Sequence, residues 1–131
     1  RPLYRRTFFA TFTLLHTCPY DVLRHWFMIS AKQNMAKQVK TIAHEIFHLQ
    51  FIHYYYEYCL KRGLSETQFQ DLKEALTVLL NEPRFRKFHI ALDVGYPAHV
   101  KLRKAIQRLW KKKKSFATFL DACIVATKRN A

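Results

Sequence analysis

The sequence predicts a mainly α-helical, α+β fold with a small β element at its start. Three observations carry this expectation. Only two glycines and four prolines occur in 131 residues, too few for a loop-rich β-sandwich or a disordered chain. A long helical pattern runs from about Gln33 to Arg62 and stops at Gly63, a residue suited to closing a helix. Alternation of period two occurs over residues 3–15, as in a strand with one buried face.

The elements follow in chain order. Residues 3–15 are rich in aromatic and β-branched side chains. Phe8, Ala10, Phe12 and Leu14 form their more apolar set, and Thr7, Phe9, Thr11 and Thr13 the other. A short helix is the competing assignment. Cys18, Pro19, Tyr20 and Asp21 read as a turn, and residues 21–29 as a second short element of either type. After the long helix, Ser65 is an N-cap whose capping box is completed by Gln68. The helix it opens runs to about Asn81, where Glu82 and Pro83 stop it. Residues 84–96 are irregular. Pro97 suits the first turn of another helix, which sends Leu102, Ile106, Leu109 and Trp110 toward the core. Ser115 caps a last helix with Phe116, Phe119, Leu120, Cys123 and Ile124 on one side. There is no internal repeat and no linker, so the expectation is a single domain over residues 1–131.

Half of the residues are hydrophobic, enough for one real core. The charge is lopsided, with 23 Lys and Arg against nine Asp and Glu. Such a surface attracts polyanions or anionic membranes, selects acidic substrates, or simply keeps the protein soluble. The three cysteines, Cys18, Cys59 and Cys123, form no CxxC pair. They read as reduced thiols, which favours a cytoplasmic setting. No apolar run reaches the ~18 residues of a membrane span, and no signal peptide is evident. The chain starts at Arg1 without a methionine, as a trimmed or processed product would.

The residues that point to chemistry are His44-Glu45-Ile46-Phe47-His48. Two His four apart on a helix share a face, one turn apart, so both imidazoles can converge on one ion such as Zn²⁺. Glu45 sits beside that stripe, placed to take a proton from a zinc-bound water. The neighbours Ile42, Ala43, Ile46, Phe47 and Leu49 are uncharged, as a helix buried through a domain requires. The other reading is two core histidines with a solvated Glu45.

Zinc needs a third protein ligand and an open fourth position. Glu74 lies on the next helix, 26 residues after His48. Residues 75–80 carry no charge, so that helix should be buried on most sides, and a carboxylate entering it needs a cation. On a helical wheel, however, Glu74 points away from Phe69, Leu72, Leu76 and Leu79, sharing a face with Thr77, Val78 and Asn81. Glu74 could instead be a surface residue or the partner of a nearby lysine. Glu66, Asp71, Glu82, His53 and His99 are weaker substitutes.

The His44-Glu45-x-x-His48 motif with a downstream Glu resembles the gluzincins, the thermolysin-like zinc metallopeptidases, reduced to a very small size. The stretch also resembles small, uncharacterised bacterial zincin-like proteins. There the relevant residues are Lys73-Glu74-Ala75-Leu76-Thr77 and Gly95-Tyr96-Pro97-x-His99, and the match covers about residues 40–100. A metzincin would need a Gly and a third His after the motif, where Phe51 and Tyr54 stand, with His53 one residue out of register. The gluzincin resemblance implies that His44, His48 and Glu74 bind zinc and that Glu45 is general base and later acid. It also implies peptide or protein substrates. Thermolysin-like enzymes place an Asp four residues after the Glu ligand, supporting a zinc histidine. Here that position is Val78, so Asn81, Thr77 or Asp93 would have to orient a ligand.

A Tyr, His or Arg opposite the metal usually supports the oxyanion of the transition state. Tyr96 and His99, presented by a rigid turn between Gly95 and Pro97, are the best candidates. His89 is an alternate, and both Tyr96 and His99 could equally be structural. Tyr54, Tyr55, Tyr56 and Tyr58 read as packing before substrate platform. Lys101, Arg103, Lys104, Arg108, Lys111, Lys112, Lys113 and Lys114 supply a cationic face, most of it opposite Leu102, Ile106 and Leu109. That face could track nucleic-acid phosphates or an anionic membrane, or be merely solvated. The competing function is a basic, nucleic-acid-associated protein whose motif is structural or degenerate. A narrowly specific zinc toxin or regulator is a third.

Overall fold

In a computed structural model, the described residues are 4, 7–15, 18–87 and 90–130. The fold is mainly helical, with a small three-stranded sheet near the N-terminus. The strands are β1 (Phe9–Thr13), β2 (Tyr20–Asp21) and β3 (Trp26–Ser30). The helices are α1 (Met35–Lys61), α2 (Glu66–Leu76), α3 (Val100–Lys112) and α4 (Phe116–Asn130). Short 3₁₀ turns follow α2 at Thr77–Asn81 and precede α3 at Pro97–His99. By its internal contacts the chain divides into two compact units. One is Arg1–His53 with Leu80–Asp93, the other Tyr54–Leu79 with Val94–Ala131.

In the first unit β3 is the central strand, parallel to β1 and antiparallel to β2. The chain reverses between β2 and β3 at residues 22–25, not at residues 18–21 as expected. Asp21 anchors that reversal by accepting from the Arg24 amide at 3.0 Å. His25 there adopts a left-handed φ of 54°, a conformation that favours glycine or asparagine. Phe27 and Ile29 from β3 and Leu49 from α1 form the core, with Phe8, Tyr20, Val22, Ile42 and Ile46 packed around it.

The expected buried face of the first strand is only partly realised. The register pairs Ala10 with Phe27 and Phe12 with Ile29, so the apolar set does share the core-facing side of the sheet. Yet Phe12 is 66 % and Leu14 72 % exposed. β1 is an edge strand, and the core against α1 lies over β3, so within this set only Phe8 reaches it.

The helix boundaries follow local chemistry. Asn34 opens α1 by accepting from the Lys37 amide at 3.0 Å, an Asx cap. Gly63, at φ 82°, closes it with Gly63 N–H donating to the Leu60 carbonyl. Lys128 adds a donor to the Arg62 carbonyl at 2.6 Å. Ser65 and Gln68 form the full reciprocal capping box of α2. The helix tightens to 3₁₀ at Thr77, short of the α-helical end expected at Asn81. Ser115 caps α4 by accepting from the Thr118 amide.

In the second unit α2, α3 and α4 pack on one another. Leu72 and Leu76 of α2, Ile106 of α3 and Leu120 and Cys123 of α4 are all at most 1 % exposed. Trp110 meets Phe119 edge-on, with centroids 5.1 Å apart, a preferred aromatic geometry. Leu102 is buried as expected, while Leu109 is only half-buried. The hydroxyls of Tyr56 and Tyr58 donate to Glu66 and Asp121, each at 2.8 Å. These bonds give the two tyrosines tethering roles.

Candidate metal centre

The expected helix places His44 and His48 one turn apart on α1. Their ring centroids lie 4.2 Å apart, with the planes 77° from parallel. His48 is 1 % exposed and Glu45 6 %, so the solvated Glu45 of the competing reading is excluded. The Tyr20 ring from β2 lies 6.0 Å from the His48 ring.

His44 is held from a distant part of the sequence. Its Nδ1 lies 2.6 Å from Oδ2 of Asp93, and Asp93 is 2 % exposed. Asn81 brackets that aspartate. Its side-chain Nδ2 donates to the Asp93 carbonyl, and its Oδ1 accepts from the Asp93 amide, both at 2.8 Å. A carboxylate at Nδ1 favours the tautomer with its proton on Nδ1, leaving Nε2 as the lone-pair nitrogen. Buried carboxylates need such partners. Of the three residues weighed for orienting a ligand, Asp93 contacts His44 and Asn81 fixes Asp93.

Zn²⁺ fits these residues by their chemistry. Two imidazoles share one helical face, one of them is oriented by a buried carboxylate, and an acid follows the first histidine. Metal-ligating histidines commonly donate their second ring nitrogen to a carboxylate in this way.

No protein-family model, curated protein or solved structure matches the chain.

Glu74, Tyr96 and His99 lie in the second unit. Glu74 sits on α2 with its side chain 20 % exposed, and its Oε1 is 3.2 Å from Nζ of Lys73, itself 3 % exposed. The pairing with a nearby lysine, one of the open readings, is therefore present. Thr77 and Val78, which share the Glu74 face, are 0 % and 4 % exposed. Residues 75–80 are buried throughout, as expected.

Tyr96 and His99 are neighbours, with ring centroids 5.9 Å apart and planes near perpendicular. Gly95 turns the chain before them at φ 65°, and Pro97 opens the 3₁₀ turn. Tyr96 is 59 % exposed. The Nε2 of His99 is 3.1 Å from Asp71 Oδ1. Glu66 accepts from Tyr56 and Gln70, and the Tyr56 hydrogen bond first, then that of Gln70, holds its carboxyl below the usual range. His53 is exposed and stacks on Tyr4 at 4.2 Å. Glu82 is half-buried, and His89 lies outside the described residues.

Arg103 corrects one expectation. It belongs to no cationic surface: it is 5 % exposed. Its Nη1 donates to Thr77 Oγ1 at 2.8 Å and reaches the Glu74 carbonyl at 3.5 Å. Thr77 Oγ1 in turn donates to that same carbonyl at 2.8 Å. A Cβ at Gly95 would come within 2.6 Å of Arg103 Nη1. Arg103 thus packs beneath the Gly95 turn and braces the backbone of Glu74. The wheel carried the signal, since at 100° per residue Arg103 falls about 20° from Trp110, on the apolar side.

Proposed function

We propose that the chain is a zinc-dependent metallopeptidase in which His44, His48 and Glu74 are the metal ligands and Glu45 is the general base. The observation that carries the reading is the contact between His44 Nδ1 and Asp93 Oδ2 at 2.6 Å, made by the first histidine of an intact His-Glu-x-x-His helix. A histidine used only for packing does not need a buried carboxylate that is itself clamped by Asn81.

Zinc, when bound, supplies Lewis-acid polarisation of the reacting carbonyl and lowers the pKa of water. Asp93 holds the His44 ring through Nδ1, so Nε2 would be the nitrogen that holds the metal. Glu45, buried beside the histidines, accepts the proton of the attacking water and returns it to the leaving nitrogen. Tyr96 and His99 donate toward the carbonyl oxygen as negative charge builds on it. Arg103 and Thr77 hold the Glu74 backbone, and Lys73 offsets the Glu74 charge.

The test is Glu45→Gln assayed with casein and with a mixed peptide library. The reading expects cleavage by the wild type, at least a thousandfold loss in the variant, and unchanged zinc content. Cleavage that survives Glu45→Gln, or a zinc-loaded wild type that cleaves nothing, contradicts it.

A further inference from the structure

From Val94 to Leu120 the chain contains no Asp or Glu and eight Lys or Arg. Arg103 is buried; the other seven are exposed. On α3, Lys101, Lys104, Arg108, Lys111 and Lys112 fall within an arc of about 100° at 100° per residue, over about 16 Å of helix. None of these five, nor Lys114, is ion-paired to an acid among the described residues. Lys113 lies over the Trp110 ring, with Nζ 3.5 Å from its centroid.

What covers such a face is decided by the opposite side of the same helix. Helices that bind membranes spend their apolar stripe in the lipid. Here Leu102, Ile106 and Trp110 are 5 %, 0 % and 7 % exposed, so that stripe is already committed to the protein core. The solvent side therefore offers charge without an inserting surface. Single-stranded nucleic acid is held chiefly by exposed aromatic platforms, and Trp110, the aromatic of α3, is buried beneath Lys113. Within that arc α3 carries only cations, while the exposed Val100, Tyr96 and Phe116 lie beside it, and a regular array of cations suits a dense array of phosphates. Duplex DNA presents about one negative charge per 1.7 Å of axis, or roughly ten along a helix of this length.

We propose that the solvent face of α3 is a docking surface for the phosphate backbone of duplex nucleic acid, bound without regard to sequence. This surface does not depend on the zinc reading, and His44→Ala should leave it intact. Five neutralised phosphates give a slope of about −4.5 in log K against log salt.

The test is fluorescence anisotropy of a labelled 20-base-pair DNA duplex titrated with the full chain at several salt concentrations. The wild type should bind at low salt. The Lys101→Glu/Lys104→Glu/Arg108→Glu variant should bind at least tenfold more weakly, with a slope shallower by about 3. Lys32→Gln/Lys37→Gln, at exposed cations of the other unit, should bind as wild type. Circular dichroism checks the fold, and Lys101→Gln/Lys104→Gln/Arg108→Gln replaces the charge-reversed variant if that one unfolds. Equal binding by the α3 variant and the wild type overturns the proposal. So does tighter binding to phosphatidylserine vesicles or to poly-glutamate than to the duplex.

Discussion

The Asp93 carboxylate lies 2.6 Å from the Nδ1 of His44, 49 residues away in sequence. On the proposed zinc site, Asp93→Asn should weaken zinc binding by about 10–100-fold, the usual cost of removing a carboxylate behind a ligating histidine. The loss should exceed that of Tyr20→Phe, whose ring lies 6.0 Å from that of His48. Competition with a zinc-chelating dye measures both. Equal affinities would show that Asp93 does not act through His44.

Asn81 fixes Asp93 through two hydrogen bonds to its backbone. Asn81→Ala leaves the buried Asp93 amide without that acceptor, which costs about 1–3 kcal/mol. Urea unfolding should report this loss, and the variant should bind zinc more weakly than wild type. Asn81→Asp keeps an acceptor for the amide but sets a carboxylate oxygen against the Asp93 carbonyl that Asn81 Nδ2 now donates to, so it should not restore the lost stability.

Gly95 stands at a positive φ with Arg103 beneath it. Gly95→Ala places a Cβ within 2.6 Å of the guanidinium, on backbone that strains any L residue by about 1–3 kcal/mol. Thermal unfolding should fall accordingly, and Arg103→Ala should relieve the steric part in a double-mutant cycle. A neutral Gly95→Ala would show that the turn has another conformation in solution.

Burial pushes the thiols of Cys59 and Cys123 up to about 12 from an ordinary value of 9.0. The folded protein therefore holds these protons when the unfolded chain has lost them. Their contribution to stability is complete below pH 9.0 and is lost as the pH rises toward about 12. At the acid end, the Arg62 hydrogen bond, then that of Tyr58, lowers the Asp121 pKa below 3.8. That contribution is present above pH 3.8 and disappears as the pH falls through the lowered value. Urea midpoints from pH 2 to 11 check both limbs. Cys59→Ala/Cys123→Ala should flatten the alkaline limb and leave the acid limb unchanged.

Ser65 caps α2 through the Gln68 amide, so Ser65→Ala should cost about 1 kcal/mol. Chemical denaturation resolves a change of that size.

Features set by local chemistry were readable from the chain alone. Gly63, the Ser65–Gln68 box, Pro97 and Ser115 each marked an element boundary through backbone preferences that act over a few residues. Burial was harder to read. Phe12 and Leu14 alternate as a buried strand does, but the extent of the cover over an edge strand is tertiary information. Arg103 was misread because its charge was weighed ahead of its wheel position beside Trp110. In the candidate site, the helical spacing of His44 and His48 was legible. Asp93 was only one of three residues weighed for orienting a ligand, since a contact across 49 residues leaves no periodic trace.

The central claim is that His44 and His48 hold zinc, and elemental analysis of the purified full chain tests it most directly. Wild type, His44→Ala, His48→Ala and Glu45→Gln would be loaded with zinc, dialysed and measured side by side. The account predicts about one zinc per chain in the wild type and Glu45→Gln, and little in either histidine variant. Zinc absent from the wild type after loading, or retained in both histidine variants, would contradict it.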